Sequence, residues 1–142
     1  MEIERFTGDI ATLEILMKEY KDAIEEERLN AIQYARLQKA VNNSEIVFFV
    51  AMDENLPVAM CSISRTFSTF NCAFSGVFED FYISPQYRKS GIARMLTDYV
   101  FSYCKSQEIN TLWVGCADCD ITMYQHLGFD IPLGNLLTWS AE

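Results

Sequence analysis

No stretch of this 142-residue chain approaches the ~20 uninterrupted apolar residues that a membrane-spanning helix requires. The acidic start, MEIERF, also lacks the positive lead and apolar core of a secretory signal, so a soluble, cytoplasmic protein with no membrane contact is expected. Basic residues are scarce, with 11 Lys and Arg against 20 Asp and Glu and a net charge of −9. Nucleic-acid binding depends on neutralising phosphates with such residues and is excluded on that ground. The same acidity suits a cationic small molecule, and it serves solubility alone equally well. Histidine occurs once, at His126.

Cys61, Cys72, Cys104, Cys116 and Cys119 form an odd set without the spacing of a secreted disulfide framework. Cys116 and Cys119 make one Cys-x-x-Cys, but no second pair or histidine cluster supplies the remaining ligands of a tetrahedral zinc site. The pair closes a strand instead of opening a helix, which is the wrong place for a thioredoxin-like redox motif. No metal is expected. Repeats, linkers and low-complexity tracts are also missing. With half its residues apolar, the chain reads as one compact domain over residues 1–142.

Hydrophobic patterning supplies the elements that are present. Residues 2–6 alternate as a short strand, and Thr7 or Asp9 caps a first helix that buries Ile10, Leu13, Met17 and Tyr20. A second helix spans about 28–41 and stops at Asn42-Asn43-Ser44. Strands over 46–52 and 58–66 flank the polar turn 53–57 and pair as an antiparallel hairpin. Segment 67–75 mixes aromatics with Ser, Thr and Asn and reads as a loop beside a cleft. Phe67, Phe70 and Phe74 line that cleft or simply pack. Residues 111–116 form a later strand, and a short hairpin is expected where Asn135 separates 129–131 from 136–139. The order is β-α-α-β-β-β-α-β-α-β-β, a mixed α/β sheet of six or seven strands flanked by about four helices.

The densest signal lies at residues 76–93, GVFEDFYISPQYRKSGIA. Val77, Phe78, Phe81, Tyr82 and Ile83 have the β-branched and aromatic character of a buried strand, and Ser84-Pro85 ends it by removing a backbone donor. From Gly91, apolar residues recur at Ala93, Leu96, Tyr99, Val100, Tyr103 and Cys104, one face of a helix. The unpaired N–H groups of its first turn and its aligned peptide dipoles favour an anion in front of them. Arg88 and Lys89 add positive charge. Gly91 has no side chain to hold a ligand away, and Ala93 is small, so the run reads as a seat for a pyrophosphate.

Arg88-x-x-Gly91-x-Ala93, placed between that strand and helix and followed downstream by Tyr124-x-x-x-Gly128-Phe129, resembles the signature of the GNAT superfamily of acyl-CoA-dependent N-acetyltransferases. Glu79-Asp80-Phe81-Tyr82-Ile83 is similar to the strand that precedes the signature, as in polyamine-type members. The resemblance implies a GNAT fold with acetyl-CoA lying along strand 76–83, where it splays from strand 111–116. Backbone groups of Phe81, Tyr82 and Ile83 would hold the pantetheine arm. The loop and first turn, including Arg88, Lys89, Ser90, Gly91, Ile92 and Ala93, would hold the phosphates. One departure is Ala117, where the family frequently has Asn, which implies that one interaction with CoA is missing or rerouted.

Acetyl transfer to an amine needs a base for the ammonium proton and an acid for the departing thiolate. By resemblance, Glu79 is the base, with Asp80 the competitor, since adjacent strand residues face opposite ways unless a bulge intervenes. Tyr124 is the acid. His126 lies two residues along the same helix, about 200° away, and faces solvent. Glu25, Glu26 and Glu27 form an acidic run that either attracts an ammonium group or simply faces water. The expected reaction is direct transfer from acetyl-CoA to a primary amine of a small cationic molecule in a ternary complex. A peptide acetyltransferase and a non-catalytic CoA-binding module are the alternatives; a homodimer is compatible by fold-level analogy with relatives, and the sequence itself does not set the assembly.

Overall fold

The structure, a computed structural model, describes residues 1–142. Its elements run β1 (Glu2–Phe6), α1 (Glu14–Ala23), α2 (Ala31–Asn42), β2 (Val47–Asp53), β3 (Leu56–Ser68), β4 (Ala73–Ile83), α3 (Ile92–Ser106), β5 (Ile109–Trp113) and α4 (Ile121–Leu127). The strands make one sheet in the order β1-β2-β3-β4-β5. The first three pairings are antiparallel, and β4–β5 is parallel. No helix is long and apolar enough to cross a membrane.

Helices cover both faces. Ile92, Leu96, Val100 and Cys104 of α3 pack on Phe49, Ala51, Cys61, Ile63 and Phe78. Ile10 and Leu13, from a short 3₁₀ turn, join Leu16 and Met17 of α1 and Val41 of α2 against Phe48, Val50, Met60 and Tyr82 on the other face. The strict alternation of Phe48, Phe49, Val50 and Ala51 between the two clusters follows from the period of two in a pleated strand with both sides buried. Asp9, and not Thr7, is the first cap, accepting from the Ala11 N–H at 2.9 Å. Asn30 and Gln33 close a reciprocal capping box on α2, so that helix begins later than residue 28.

Three expectations from the sequence are corrected. Five strands form, not six or seven, because the hairpin expected over 129–139 is absent: this segment carries no secondary structure. Pro132, directly after the first arm, has no N–H to extend its pairing, and a two-stranded hairpin without a sheet behind it is marginal. Residues 67–75 are mostly strand, since β3 runs to Ser68 and β4 starts at Ala73. Phe67 and Phe74 face each other across that hairpin with ring centroids 5.6 Å apart, and Phe70 at its tip is 99% exposed. Phe74 lies roughly 23 Å along the strand from Phe81, at ~3.3 Å per residue, so these phenylalanines do not line the cleft described below. The parallel strand is Ile109–Trp113, ending before the expected 116.

Candidate active site

Strand β4 pairs with β5 only from Phe74 to Val77. Beyond Val77 the two diverge, and residues 78–83 of β4 keep an edge toward the gap with no strand against it. A gap beside a carboxyl-end strand edge is where open α/β sheets take ligands. The chain then passes Ser84, whose N–H donates to the Val58 carbonyl at 2.9 Å, and a 3₁₀ turn at Pro85–Tyr87. The Tyr87 hydroxyl donates to Asp53 Oδ2 at 2.8 Å and pins this turn to the β2–β3 hairpin. The Ser90 hydroxyl donates back to the Tyr87 carbonyl.

Helix α3 starts directly in front of the gap. Its cap, Gly91, is left-handed at φ 86° and offers no capping side chain. The first bond into the helix runs from the Met95 N–H to the Gly91 carbonyl, leaving the N–H groups of Ile92, Ala93 and Arg94 without a helical acceptor. A Cβ on Gly91 would meet nothing within 4 Å. Lys89 also has a left-handed backbone, at φ 60°, which helps turn successive N–H groups the same way. Open space, unpaired donors and a positive helix end therefore coincide, and the residues from Lys89 to Ala93 fit a diphosphate group. Arg88 is placed differently from expectation. Its Nε donates to the Ile83 carbonyl at 2.9 Å, and its guanidinium lies 5.5 Å from the Tyr82 ring centroid, so it braces the strand end and has only its remaining N–H groups for an anion.

On the α3 side of the gap stands an aromatic cluster. Tyr124 lies 6.1 Å from Phe81, 6.5 Å from Phe78 and 5.9 Å from Phe129, centroid to centroid. The Arg94 guanidinium donates to the carbonyls of His126 and Leu127, at the end of α4, and so fixes the helix that carries Tyr124. Gly128 closes α4 at φ 119° with the Phe101 ring 3.0 Å from where a Cβ would be. Burial first, then the negative charge of Asp120, pushes the Tyr124 phenol up to about 12. It keeps its proton at neutral pH and is a hydrogen-bond donor there.

On the α1 side, β4 carries a bulge. Met60 faces Tyr82 and Ser62 faces Glu79, so Cys61 alone opposes both Asp80 and Phe81. Asp80 takes up the extra residue in the left-handed region at φ 55°. The strict alternation that would have separated Glu79 from Asp80 is thereby broken. Both carboxylates act on the hydroxyl of Tyr20 from α1, whose phenol is pushed up to about 12 by burial, then by Asp80, then by Glu79, with a smaller part from Glu26. The Asp80 backbone N–H is the one influence that favours the ionised phenol. The Tyr20 ring packs against Tyr82 at 6.1 Å with the planes tilted 55°, and Glu19, one residue before it, accepts from the buried Ser84 hydroxyl at 3.1 Å.

Glu79, Asp80 and Tyr20 thus lie together on the α1 side of β4, while Tyr124 stands with Phe78 and Phe81 on the α3 side. Sequence reading missed Tyr20, which looked like one more position on an apolar helix face, and Ser62, whose side chain is 1% exposed and donates to Asp80 Oδ2 at 2.5 Å. The polar residue inside an otherwise apolar β3 run was the only available signal. His126 is exposed, as expected. Glu25, Glu26 and Glu27 sit exposed in the α1–α2 connection, and of the three Glu26 acts on Tyr20. Cys116 and Cys119 are free, exposed thiols, and no group of His, Cys, Asp and Glu is arranged to hold a metal.

Residues 10–129 match the family described as "Acetyltransferase (GNAT) family". An uncharacterized N-acetyltransferase, ycf52, of Gracilaria tenuistipitata var. liui is 23% identical over 94 residues, covering 66% of this chain and 50% of that protein. The chain therefore spans about half the length of the curated relative it matches. Among solved structures, a probable acetyltransferase superimposes with a TM-score of 0.87 at 18% identity, covering 100% of both chains. An aminoglycoside acetyltransferase from an uncultured soil metagenomic sample, in complex with sisomicin, gives 0.83 at 15% identity, covering 99% of this chain and 95% of that one. At these identities the structural likenesses establish the fold.

Proposed function

Because the chain belongs to the GNAT acetyltransferase family, we propose that it transfers an acetyl group from acetyl-CoA to a primary amine of a small cationic molecule. The observation that carries this reading is the conjunction at the end of β4: an unpaired strand edge running into an uncapped helix start with open space at Gly91. The edge at residues 78–83 suits an extended amide-bearing arm. The donors from Lys89 to Arg94 suit a diphosphate. Acetyl-CoA, when bound, supplies the activated acyl carbon.

The chain's own residues handle the protons. A carboxylate of the Glu79–Asp80 pair takes the proton from the incoming ammonium, directly or through water, so that the amine can attack. The amine nitrogen gains a bond to the acetyl carbon, the carbon–sulfur bond breaks, and the sulfur receives the Tyr124 proton. The amide nitrogen's surplus proton passes to the Tyr124 oxygen, directly or through water, so the phenol is regenerated and the carboxylate alone carries the one proton that leaves to solvent. General acid and base help of this kind contributes roughly 100- to 10,000-fold. Alignment of amine and thioester contributes more, up to about 7–11 kcal/mol of the barrier. A cationic acceptor is favoured by the two carboxylates turned to one side of β4, by Glu26 near Tyr20 and by the net charge of −9. The neighbour solved with sisomicin is an enzyme of the same fold named for a polycationic small molecule.

A panel of polyamines, aminoglycosides, amino acids and peptides, assayed for free CoA thiol, tests the proposal. Turnover with small polycations is the expected result. Release with peptides alone, or with no amine at all, overturns it.

A further inference from the structure

Within the site, the two carboxylates are held very differently. Glu79 is exposed and takes part in neither of the two ion pairs of the structure, Lys18–Glu14 and Arg28–Asp22. Asp80 is half-buried and fixed at two points. Its backbone is locked in the left-handed region at φ 55°, a conformation that costs a non-glycine residue about 1–3 kcal/mol and persists only where the surroundings impose it. Its Oδ2 receives the Ser62 hydroxyl at 2.5 Å, the short length of a charge-assisted O–H···O⁻ bond.

Ser62 is 1% exposed, and it has one hydrogen to give. Met60, Phe48 and Val50 surround this face of the sheet, so an apolar residue would be the default there. A serine in that place satisfies one carboxylate oxygen and leaves the other, Oδ1, with both lone pairs for another donor. At the bulge Ser62 lies opposite Glu79, and the left-handed backbone of the next residue, Asp80, still brings its carboxylate within reach of the Ser62 hydroxyl. A base that must meet an amine within about 3 Å needs that kind of support, whereas a free surface glutamate spends most of its time elsewhere.

Resting on the proposed acetyl transfer, we propose that Asp80 is the carboxylate that accepts the amine proton, on Oδ1, and that Ser62 is its positioning residue. The Ser62 hydroxyl keeps its own proton throughout. The ammonium N–H bond breaks, an Asp80 O–H bond forms, and the nitrogen's lone pair is released toward the acyl carbon.

The test uses the full chain with four variants. Asp80→Asn retains an acceptor for Ser62 and tolerates the left-handed backbone, removing only the charge. We expect it to lower kcat about 100-fold or more, at least ten times the loss in Glu79→Gln, and to remove one ionisation from the acid limb of the kcat/KM pH profile. Ser62→Ala is expected to lower kcat about ten-fold with KM for acetyl-CoA unchanged, and Ser62→Thr, which keeps the hydroxyl, to recover to within about three-fold. In the protein without substrate, the carbon-13 resonance of the Asp80 carboxyl should move in Ser62→Ala and return in Ser62→Thr. A larger loss in Glu79→Gln than in Asp80→Asn, or full activity in Ser62→Ala, overturns the assignment. If wild type binds acetyl-CoA yet acetylates no amine, the functional reading has failed, and the carboxyl resonance decides the positioning claim: unmoved in Ser62→Ala, the claim falls with it.

Discussion

Gly91→Glu gives the sharpest separation between what the cofactor seat requires and what the fold requires. A side chain at φ 86° costs about 1–2 kcal/mol of backbone strain. For a domain of this size that lowers Tm by roughly 3–8 °C. Because a Cβ at Gly91 meets no atom within 4 Å, no packing penalty is added, and the variant folds. The new carboxylate enters the open space before the unpaired N–H groups of α3. Against one phosphate charge at about 5 Å and an effective dielectric near 20, the repulsion is roughly 3 kcal/mol. That is a few hundred-fold in affinity, with each ~1.4 kcal/mol worth a factor of ten. Gly134→Glu is the matched control, since Gly134 has nearly the same φ, 88°, the same empty surroundings and no helix behind it. Isothermal titration calorimetry with acetyl-CoA at constant ionic strength should show Gly91→Glu weakened at least 100-fold and Gly134→Glu unchanged. A folded Gly91→Glu that binds acetyl-CoA within about three-fold of wild type would refute the reasoning.

Tyr124→Phe keeps the aromatic contacts with Phe78, Phe81 and Phe129 and removes the proton donor; kcat should fall ten-fold or more while the acetyl-CoA dissociation constant holds, and equal turnover would take the phenol out of the chemistry. The same substitution has a signature in alkaline stability. Burial pushes the Tyr20 and Tyr124 phenols up to about 12 in the folded protein, against 10.0 for an ordinary phenol. Below pH 10 both states keep these protons and the contribution is complete. As pH rises from 10 toward 12 the unfolded chain ionises first, binds fewer protons than the native state, and stability is lost. Urea midpoints at pH 9 and pH 11 should therefore differ less in Tyr124→Phe than in wild type, and equal differences would contradict the burial of that phenol.

What is readable from the sequence is what local patterning governs. The run 76–93 encodes its strand, its break at Pro85 and its helix start at Gly91 in neighbouring residues, and the structure has each of them. The β2–β3 hairpin is likewise legible from a polar turn between two apolar runs. The bulge is not, because whether Asp80 is squeezed out of register depends on how β4 meets β3 eighteen residues away, and no single residue type announces it. Tyr20 and Ser62 escape notice for the same reason: each acquires its role from a neighbour on another element. The final hairpin rests on Asn135 between two short apolar runs, yet Ile131, Leu133, Leu136, Leu137 and Trp139 stay 71–92% exposed, since an apolar run becomes a strand only where another strand offers an edge. The bond from Arg88 Nε to the Ile83 carbonyl is not legible either, because it is set by the bend between them.

The central claim is that the gap beside β4 and the first turn of α3 together hold acetyl-CoA. Amide nuclear magnetic resonance of the isotope-labelled full chain tests it most directly, since the donors in question are the very nuclei observed. On titration with acetyl-CoA, the largest shifts should fall on residues 89–94 and 78–83, saturating in the micromolar to millimolar range common for enzyme substrates. Shifts confined to any other part of the sheet, or a spectrum unmoved at millimolar acetyl-CoA, would contradict it.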